Sequence, residues 1–173
     1  MVAIVDYGVG NLFSLTSSFA AIGAEAIATN DPDVIRAADR LILPGVGAFE
    51  DAMVYFAEGG EVIETLIDRV LEYNLYQIAA VLPRMGDVIY FGDDLGIQRG
   101  LAIGAERWRK YLAPCYRKMY GLIKSYKPSQ VIYMHTDGCI HEIMPDLVEA
   151  GVDIINPQYR ANGLDNLVRV CRK

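Results

Sequence analysis

Cysteine, histidine and tryptophan are scarce in this chain of 173 residues, which contains three, two and one of them. The cysteines are Cys115, Cys139 and Cys171, and no two of them form a C-x-x-C pair. Disulfide frameworks use an even set of cysteines, and structural zinc sites favour closely spaced pairs. The cysteine pattern therefore argues against both, and it predicts reduced thiols in a cytoplasmic protein.

Long apolar runs and an excess of basic residues are also absent. No stretch approaches the roughly 20 apolar residues that span a bilayer, and the first residues lack the basic leader of a signal peptide. The formal net charge is −6, whereas nucleic-acid binding favours a basic surface. We therefore expect a soluble, cytoplasmic protein that binds neither a membrane nor a nucleic acid.

What the chain does contain is a regular alternation of strand and helix patterns, with 53% apolar and 22% charged residues. Such alternation predicts an α/β protein with a mostly parallel sheet. Strands are predicted at residues 2–5, 25–29, 41–43, 88–91, 131–134 and 152–155. Helices are predicted after the first strand, from Asp31-Pro32, and at residues 48–58, 61–82, 105–125, 140–150 and 164–172. Pro114 and Pro145 fall inside two of these helices, so each is expected to divide or kink its helix.

The first third of the chain resembles a known enzyme family. The matching segments are residues 4–12 (IVDYGVGNL), Asp31-Pro32 and residues 37–49 (AADRLILPGVGAF). On these segments, residues 1 to about 64 resemble the glutaminase subunit, a class I glutamine amidotransferase, of imidazole glycerol phosphate synthase. The resemblance implies that the PGVG segment lies beside an oxyanion hole, where glycine-rich backbone can direct N–H groups at a developing negative charge.

The remainder of the chain resembles a different family. Its matching segments are residues 87–96 (DVIYFGDDLG), 108–112 (WRKYL), 133–138 (YMHTDG) and 152–158 (VDIINPQ). On these segments, residues from about 66 to 173 are similar to the C-terminal part of the uroporphyrinogen decarboxylase superfamily, which folds as a TIM barrel. Only three strands of such a barrel would be present here. The two resemblances together predict an engineered chimera, with the seam between the parent fragments within about residues 60–74.

The two resemblances also imply an architecture. The first parent places strand 1 between strands 2 and 3, and consecutive barrel strands lie side by side. We therefore predict a single α/β domain over residues 1–173, a three-layer doubly wound parallel sheet of flavodoxin-like type with strand order 2-1-3-4-5-6. In a TIM barrel, one face of strands 4 to 6 would face the barrel interior, and in an open sheet that face would be exposed. The last helix is expected to cross that face, and otherwise a homodimer would bury it.

The reacting groups of both families are incomplete, so we expect no enzyme, no catalytic residue and no bound cofactor or metal. A class I glutaminase carries its cysteine in a segment of the form G-x-C-x-G-x-Q, followed later by a His-x-Glu pair. Here residues 92–98 place Asp94 at the cysteine position, and His141-Glu142 are adjacent rather than spaced. The resemblance to the decarboxylase superfamily implies an aspartate near the start of the barrel, in a region that is replaced here. An adventitious metal at His135, Cys139 and His141 is the less favoured alternative.

Polar side chains nevertheless follow the predicted strands, at the edge where open α/β sheets bind ligands. They suggest a remnant pocket for an anion, a metal or a small polar molecule, although inherited polarity without a purpose is the favoured alternative. The turn at residues 8–10 is likewise either a phosphate site at a helix start or a plain tight turn. The pocket residues are Asp93, Asp94, His135, Asp137 and Asn156.

Three functional hypotheses follow. The leading one is a designed protein without activity and without a natural partner. The second is a diverged glutamine amidotransferase-like subunit or binding module that retains docking to a (β/α)8 cyclase subunit. The third is a diverged natural enzyme that uses Asp93, Asp94 and His135 as an acid–base or metal set.

Overall fold

The computed structural model describes residues 1–8, 10–45 and 58–171 of the chain. The chain divides into two compact units, Met1–Val70 and Leu71–Lys173, and each contains a parallel sheet of three strands. Within the described ranges, no helix is both long enough and apolar enough to cross a membrane. The predicted helix at residues 48–58 and the last two residues of the PGVG segment lie outside the described residues, apart from Glu58.

The first unit begins with five elements that the sequence predicts well. They are β1 (Val2–Val5), α1 (Leu12–Ala21), β2 (Ala26–Thr29), α2 (Pro32–Ala37) and β3 (Arg40–Ile42). Strand β1 pairs in parallel with β2 on one side and β3 on the other. The predicted placement of strand 1 between strands 2 and 3 is therefore confirmed.

Strand β1 supplies the core of this unit. Its residues Ala3, Ile4 and Val5 have no exposed surface, and Val5 packs in one cluster with Ile35 of α2 and Leu66. Asp31 caps α2, because its Oδ1 accepts a hydrogen bond from the backbone N–H of Asp33 at 2.9 Å. The sequence offers Asn30 and Asp31 as cap candidates before Pro32, and the structure uses Asp31.

A long helix, α3 (Glu61–Val81), follows and closely matches the predicted helix at residues 61–82. The boundary between the two units, at Val70 and Leu71, falls inside it. Leu66 belongs to the core cluster of the first unit, whereas Leu71 and Ile78 belong to that of the second. The seam predicted within residues 60–74 belongs to the hypothesis of a chimera, and the division into two units does not test it.

The second unit is built on three parallel strands, β4 (Val88–Gly92), β7 (Val131–Thr136) and β8 (Ile154–Pro157). Strand β7 lies between the other two, with Tyr90 opposite Tyr133 and His135 opposite Asn156. Between β4 and β7 come a short antiparallel hairpin and a helical stretch. They comprise β5 (Gly96–Ile97), β6 (Gly100–Leu101), α4 (Ala105–Arg107), a π-helical turn (Trp108–Leu112) and α5 (Ala113–Tyr126).

Three helices complete the second unit: α6 (Met144–Ala150), α7 (Tyr159–Asn162) and α8 (Leu164–Cys171). Pro114 marks the division of the predicted helix at residues 105–125, because it stands in the first turn of α5. Pro145 does not kink a helix, contrary to the prediction. It stands in the first turn of α6, where a missing N–H has no helical partner to lose.

The predicted continuous strand order 2-1-3-4-5-6 is not supported. In the part of the chain that the structure describes, β3 pairs only with β1, and every register partner of β4 lies on β7. A strand of three residues such as β3 offers few ladder hydrogen bonds. The apolar pattern of β3 also does not specify which strand pairs with its second edge. The sequence therefore could not establish whether β3 and β4 pair.

The core of the second unit lies on one face of its sheet. Ile132 and Met134 of β7 are completely buried there, together with Trp108, Tyr120 and Leu147 from the surrounding helices. Leu167 and Val170 of α8 pack against the same cluster. The last helix therefore lies on the covered side of the sheet.

The opposite face of this sheet is open to solvent. Tyr90 is 62% exposed, Val88 54% and Ile154 45%, and the rings of Tyr90 and Tyr133 stack with their centroids 5.6 Å apart. The expectation that the last helix covers this face is therefore wrong. The reason is that the apolar side of α8 is short and is already used by the core on the other face.

An ion pair joins three elements of the second unit. Lys124 Nζ of α5 lies 2.6 Å from Asp153 Oδ2, which also accepts the backbone N–H of Ile132 at 2.7 Å. Partial burial by itself would raise the pKa of Asp153. The hydrogen bonds from Lys124 and Ile132 outweigh that effect, so the pKa of this carboxyl lies below its ordinary value.

Candidate functional site

The candidate site lies where the three strands of the second unit end. In the sheet register, Gly92 lies opposite His135, and His135 lies opposite Asn156. Because the strands are parallel, their carboxyl ends share one edge, which is where open α/β sheets bind ligands. The side chains that follow these strands are therefore brought to the same edge.

His135 is the centre of a polar group at this edge. Its Nδ1 lies 2.7 Å from Asn156 Oδ1, and its Nε2 lies 3.5 Å from Asp137 Oδ1. An amide oxygen only accepts, so Nδ1 carries the proton in this contact. When protonated, the imidazole can donate to the amide from one nitrogen and face the carboxylate with the other. Three of the five predicted site residues therefore lie together.

The side chains of the two other predicted residues make no hydrogen bond or ion pair with this group among the described contacts, although the backbone N–H of Asp93 donates to the His135 carbonyl at 3.1 Å. The Asp93 side chain accepts a hydrogen bond from the Tyr116 hydroxyl at 2.7 Å. Burial of the ring, with the neighbouring carboxylate, raises the pKa of Tyr116 far above its ordinary value, so the hydroxyl remains a donor. Asp94 is exposed and makes no hydrogen bond or ion pair with any other described residue. The hypothesis of an acid–base set formed by Asp93, Asp94 and His135 is not supported by these positions.

Two glycines hold the loop that carries Asp137. Gly138 has φ +78°, and a Cβ on it would lie 2.1 Å from the backbone carbon of Gly96. The backbone N–H of Gly96 donates to the Asp137 carbonyl at 3.2 Å, and that of Cys139 donates to Ile97 at 2.8 Å. Only glycine allows this backbone-to-backbone approach. The contact fixes the loop after β7 against β5.

Asn162 supports the same loop from the other side, and the sequence analysis missed it. Its side chain is buried, with 1% exposed. Oδ1 accepts the backbone N–H groups of Ile140 and His141, at 2.7 and 2.8 Å. Nδ2 donates to the carbonyls of Gly138 and Gln158, at 2.9 and 2.8 Å. All four hydrogen-bonding positions of the amide are thus used. The only signal in the sequence is the pair Asn162-Gly163, which resembles an ordinary helix end.

The cysteine and histidine residues do not converge on one site. Cys139 Sγ lies 3.3 Å from His141 Nδ1, whereas His135 is engaged by Asn156 and Asp137. In the described ranges no three His, Cys, Asp or Glu side chains are arranged to hold a metal ion. The alternative of a metal at His135, Cys139 and His141 is therefore not supported by the geometry.

The segment compared with a glutaminase nucleophile has a different structure. Such a nucleophile stands on a sharp strand-to-helix turn. Residues 92–98 instead leave β4 and enter the hairpin formed by β5 and β6, in which Gly96 pairs with Leu101 and Ile97 with Gly100. Asp94 therefore does not occupy a nucleophile elbow.

A cleft of about 420 Å³ opens beside His135 and Asn156. Its lining also includes the residues from Pro157 to Ala161 and Gln98 from the hairpin. Its volume lies within the range of roughly 300–1,000 Å³ that ligand pockets occupy. Asp93, Asp94 and Asp137 do not line it. The sequence did not reveal Gln98 or Arg160 as lining residues, because no pattern predicted the hairpin or the four-residue helix α7.

Comparison with known proteins finds natural relatives of this chain. Imidazole glycerol phosphate synthase subunit HisH of Methanothermobacter thermautotrophicus is 50% identical over 72 residues, which are 42% of this chain and 35% of the relative. The HisH subunit of Geobacter sulfurreducens is 35% identical over 113 residues, 54% and 53% of the two chains. The HisH subunit of Sulfurimonas denitrificans is 50% identical over 105 residues, which are 60% of this chain and 48% of the relative.

The N-terminal region resembles the HisH glutamine amidotransferase subunit. The chain spans about a third to a half of the length of these curated relatives. No family model matches the chain, and no solved structure matches it. The predicted resemblance of the C-terminal part to the uroporphyrinogen decarboxylase superfamily has no support in these comparisons.

These matches overturn the prediction of an engineered chimera. Natural proteins from several organisms match the chain, two of them at 50% identity over 72 and 105 residues. The Sulfurimonas match covers 60% of the chain, which is more than residues 1–64 alone can supply. The expectation that the protein has no natural partner loses its basis for the same reason, because the matching relatives are subunits of a synthase.

Proposed function

We propose that this protein is a diverged glutamine amidotransferase-like subunit that docks onto a (β/α)8 cyclase subunit without releasing ammonia from glutamine. The observation that carries the proposal is the 50% identity to HisH subunits, which is concentrated in the N-terminal region. The docking function belongs to the first unit. The lack of glutaminase chemistry rests on the residues of the second unit.

The exposed surface of the first unit supports docking. None of the residues of α1 is fully buried. Phe13, in the first turn of α1, is 81% exposed, and Ile22, at its end, is 77% exposed. Large exposed aromatic side chains are frequent energetic anchors of protein interfaces. Asn11 caps the helix by accepting the backbone N–H of Ser14 at 3.0 Å, so Phe13 is presented from an ordered helix start.

The positions of the cysteines support the absence of glutaminase activity. A cysteine nucleophile requires a histidine base that is itself oriented by a third group. Cys139 is 7% exposed and contacts His141, but no described hydrogen bond or ion pair joins His141 to a carboxylate. Cys115 Sγ donates to the Tyr111 carbonyl at 3.4 Å, and Cys171 is exposed.

Docking is tested by calorimetric titration of the chain with a purified cyclase subunit of imidazole glycerol phosphate synthase. We expect saturable binding, and we expect Phe13→Ser to weaken it about tenfold, which corresponds to about 1.4 kcal/mol. Tyr73→Ser is the matched control, because Tyr73 is an aromatic residue that is 61% exposed on α3 of the second unit. No binding at high micromolar concentration, or equal loss in both variants, would contradict the docking proposal.

The chemistry is tested separately by measuring ammonia release from glutamine, with and without the cyclase subunit. We expect none above the rate of the protein-free reaction. Ammonia release that disappears in Cys139→Ser would show a working nucleophile and would overturn this part of the proposal. The two assays are independent, so one part can fail while the other stands.

A further inference from the structure

The cleft at the strand ends of the second unit has an unusual charge balance. The chain as a whole carries a net charge of −6, yet among residues 1–8, 10–45 and 58–171 no aspartate or glutamate lines this cleft. Within the same ranges, Arg160 is the single lining residue with a permanent charge, and His135 is the single lining histidine. A cleft that gathers a cation and excludes acids, in an acidic protein, raises the local concentration of anions.

Arg160 is held in place but not neutralised. Its Nε donates to the Tyr159 hydroxyl at 3.0 Å, and its guanidinium carbon lies 5.7 Å from the centroid of the Tyr159 ring. In the described part of the chain, no ion pair involves Arg160, and no hydrogen bond uses its two terminal nitrogens. Those two nitrogens form the planar fork that binds carboxylate and phosphate groups in a bidentate manner.

Neutral donors surround this charge. Gln158 Oε1 accepts the backbone N–H of Gly138 at 3.3 Å, so its Nε2 is the atom left to donate into the cleft. Gln98 supplies a second amide to the lining. His135 is oriented by Asn156, and its Nε2 is 3.5 Å from the Asp137 carboxylate.

We propose that this cleft binds a small oxyanion, a carboxylate or phosphate group, with Arg160 as its charge partner and the amides of Gln98 and Gln158 as neutral donors. A metal ion does not fit this site, because Arg160 repels it and the lining supplies no carboxylate. Asp137 weakens anion binding, because its negative charge lies beside His135. This inference concerns the second unit and is independent of docking through the first.

The experiment is a titration of the full chain with inorganic phosphate and, separately, with succinate, at constant ionic strength, followed by amide chemical shifts. We expect saturable shifts confined to the amides of Gly138, Gln158 and their neighbours. The anion that saturates at the lower concentration identifies the group that the cleft prefers. If neither saturates, or if shifts follow every exposed cation equally, the proposal is wrong.

Variants make the test specific. Arg160→Gln is expected to weaken binding at least tenfold, and Arg160→Lys is expected to retain part of it because the charge stays while the fork is lost. Asp137→Asn is expected to strengthen binding several-fold.

Arg169→Gln is the matched control, since Arg169 is an exposed arginine of α8 outside the cleft. Equal weakening by Arg160→Gln and Arg169→Gln would overturn the proposal, and unchanged circular dichroism verifies that each variant is folded.

Discussion

Asn162 shows how one buried side chain can organise a loop that carries candidate site residues. It makes four hydrogen bonds to backbone groups of the loop after β7 and of the segment before α7. A buried donor or acceptor that loses its partner costs about 1–3 kcal/mol. The amide therefore contributes to stability mainly through the backbone groups that it keeps satisfied.

We expect Asn162→Ala to lower the free energy of unfolding by about 2–4 kcal/mol, because several buried backbone groups lose their partner. Asn162→Asp keeps the two acceptor contacts but directs oxygen at the Gly138 and Gln158 carbonyls. Its loss of stability at neutral pH should therefore be as large, and part of it should return below about pH 4, when the carboxyl can donate. Urea denaturation at pH 7 and pH 3.5 measures both effects.

The matched control is Asn166→Ala. Asn166 also uses its amide group, to the Asn162 carbonyl at 2.9 Å and from Arg169 at 3.0 Å, but it is only partly buried. Its loss should cost less than about 1 kcal/mol because water can replace its partners. If both alanine variants lose the same free energy of unfolding, the buried hydrogen bonds of Asn162 contribute no more to stability than those of a partly buried asparagine.

At the scale of elements, Lys124 and Asp153 join α5, β7 and the start of β8. Because the folded-state pKa of Asp153 is lowered, this contribution is fully present above the ordinary aspartate pKa of about 3.9 and is lost as the pH falls through the lower folded-state value. Asp153→Asn should lower the free energy of unfolding at pH 7 by about 0.5–1.5 kcal/mol, after allowance for solvent screening of a part-exposed pair.

The difference between the wild type and Asp153→Asn should shrink as the pH falls through the lowered folded-state pKa of Asp153, because the wild-type carboxyl then becomes neutral. Asp165→Asn is the control, because Asp165 is exposed on α8 and has no partner among the described contacts. It should change stability little at neutral or acid pH. A difference for Asp153→Asn that grows as the solution is acidified would contradict the assigned coupling.

The sequence predicted most regular elements because their apolar spacing is regular, as in β1 and α3. It placed the last strand of the second unit two residues too early, at 152–155. The backbone N–H of Val152 donates to the Leu147 carbonyl of α6, and the register with β7 begins with Ile154 opposite Tyr133. It missed the hairpin of β5 and β6, since the two-residue connection Gln98-Arg99 lacks the usual glycine or asparagine signal.

The candidate site was predictable only in part for related reasons. His135, Asp137 and Asn156 follow strand patterns directly, so the rule for carboxyl ends of parallel strands found them. Gln98 lies on the hairpin, and Arg160 and Asn162 lie on the short helix α7. Neither element has an apolar periodicity from which it could be predicted. Their roles arise from contacts across the chain, such as that of Asn162 with Ile140, which depend on tertiary packing rather than on local pattern.

At the scale of the whole molecule, the open face of the second sheet still predicts a homodimer. Parallel sheets are normally covered on both faces, and here Val88, Tyr90 and Ile154 stay exposed. A second copy could cover them through a two-fold axis that places the same surface on both partners. Sedimentation velocity over a concentration series should therefore show self-association at micromolar concentrations.

Tyr90→Lys should abolish this self-association, because a charge would be buried at the centre of the shared surface. Tyr76→Lys is the control, since Tyr76 is 73% exposed on α3 and does not belong to the sheet face. A wild-type chain that remains a monomer at several hundred micromolar would show that this face stays uncovered by a second copy.

The contact between Gly96 and Gly138 also limits how this protein can change over evolutionary time. A methyl group at either position would meet backbone, which cannot move aside as a flexible side chain can. Selection should therefore remove substitutions at both glycines. The cleft-lining positions 98, 158 and 160 can instead change when the chemistry of the bound ligand changes. In a collection of diverging descendants, two glycines 42 positions apart should therefore persist as a pair after the surrounding chemistry has been exchanged.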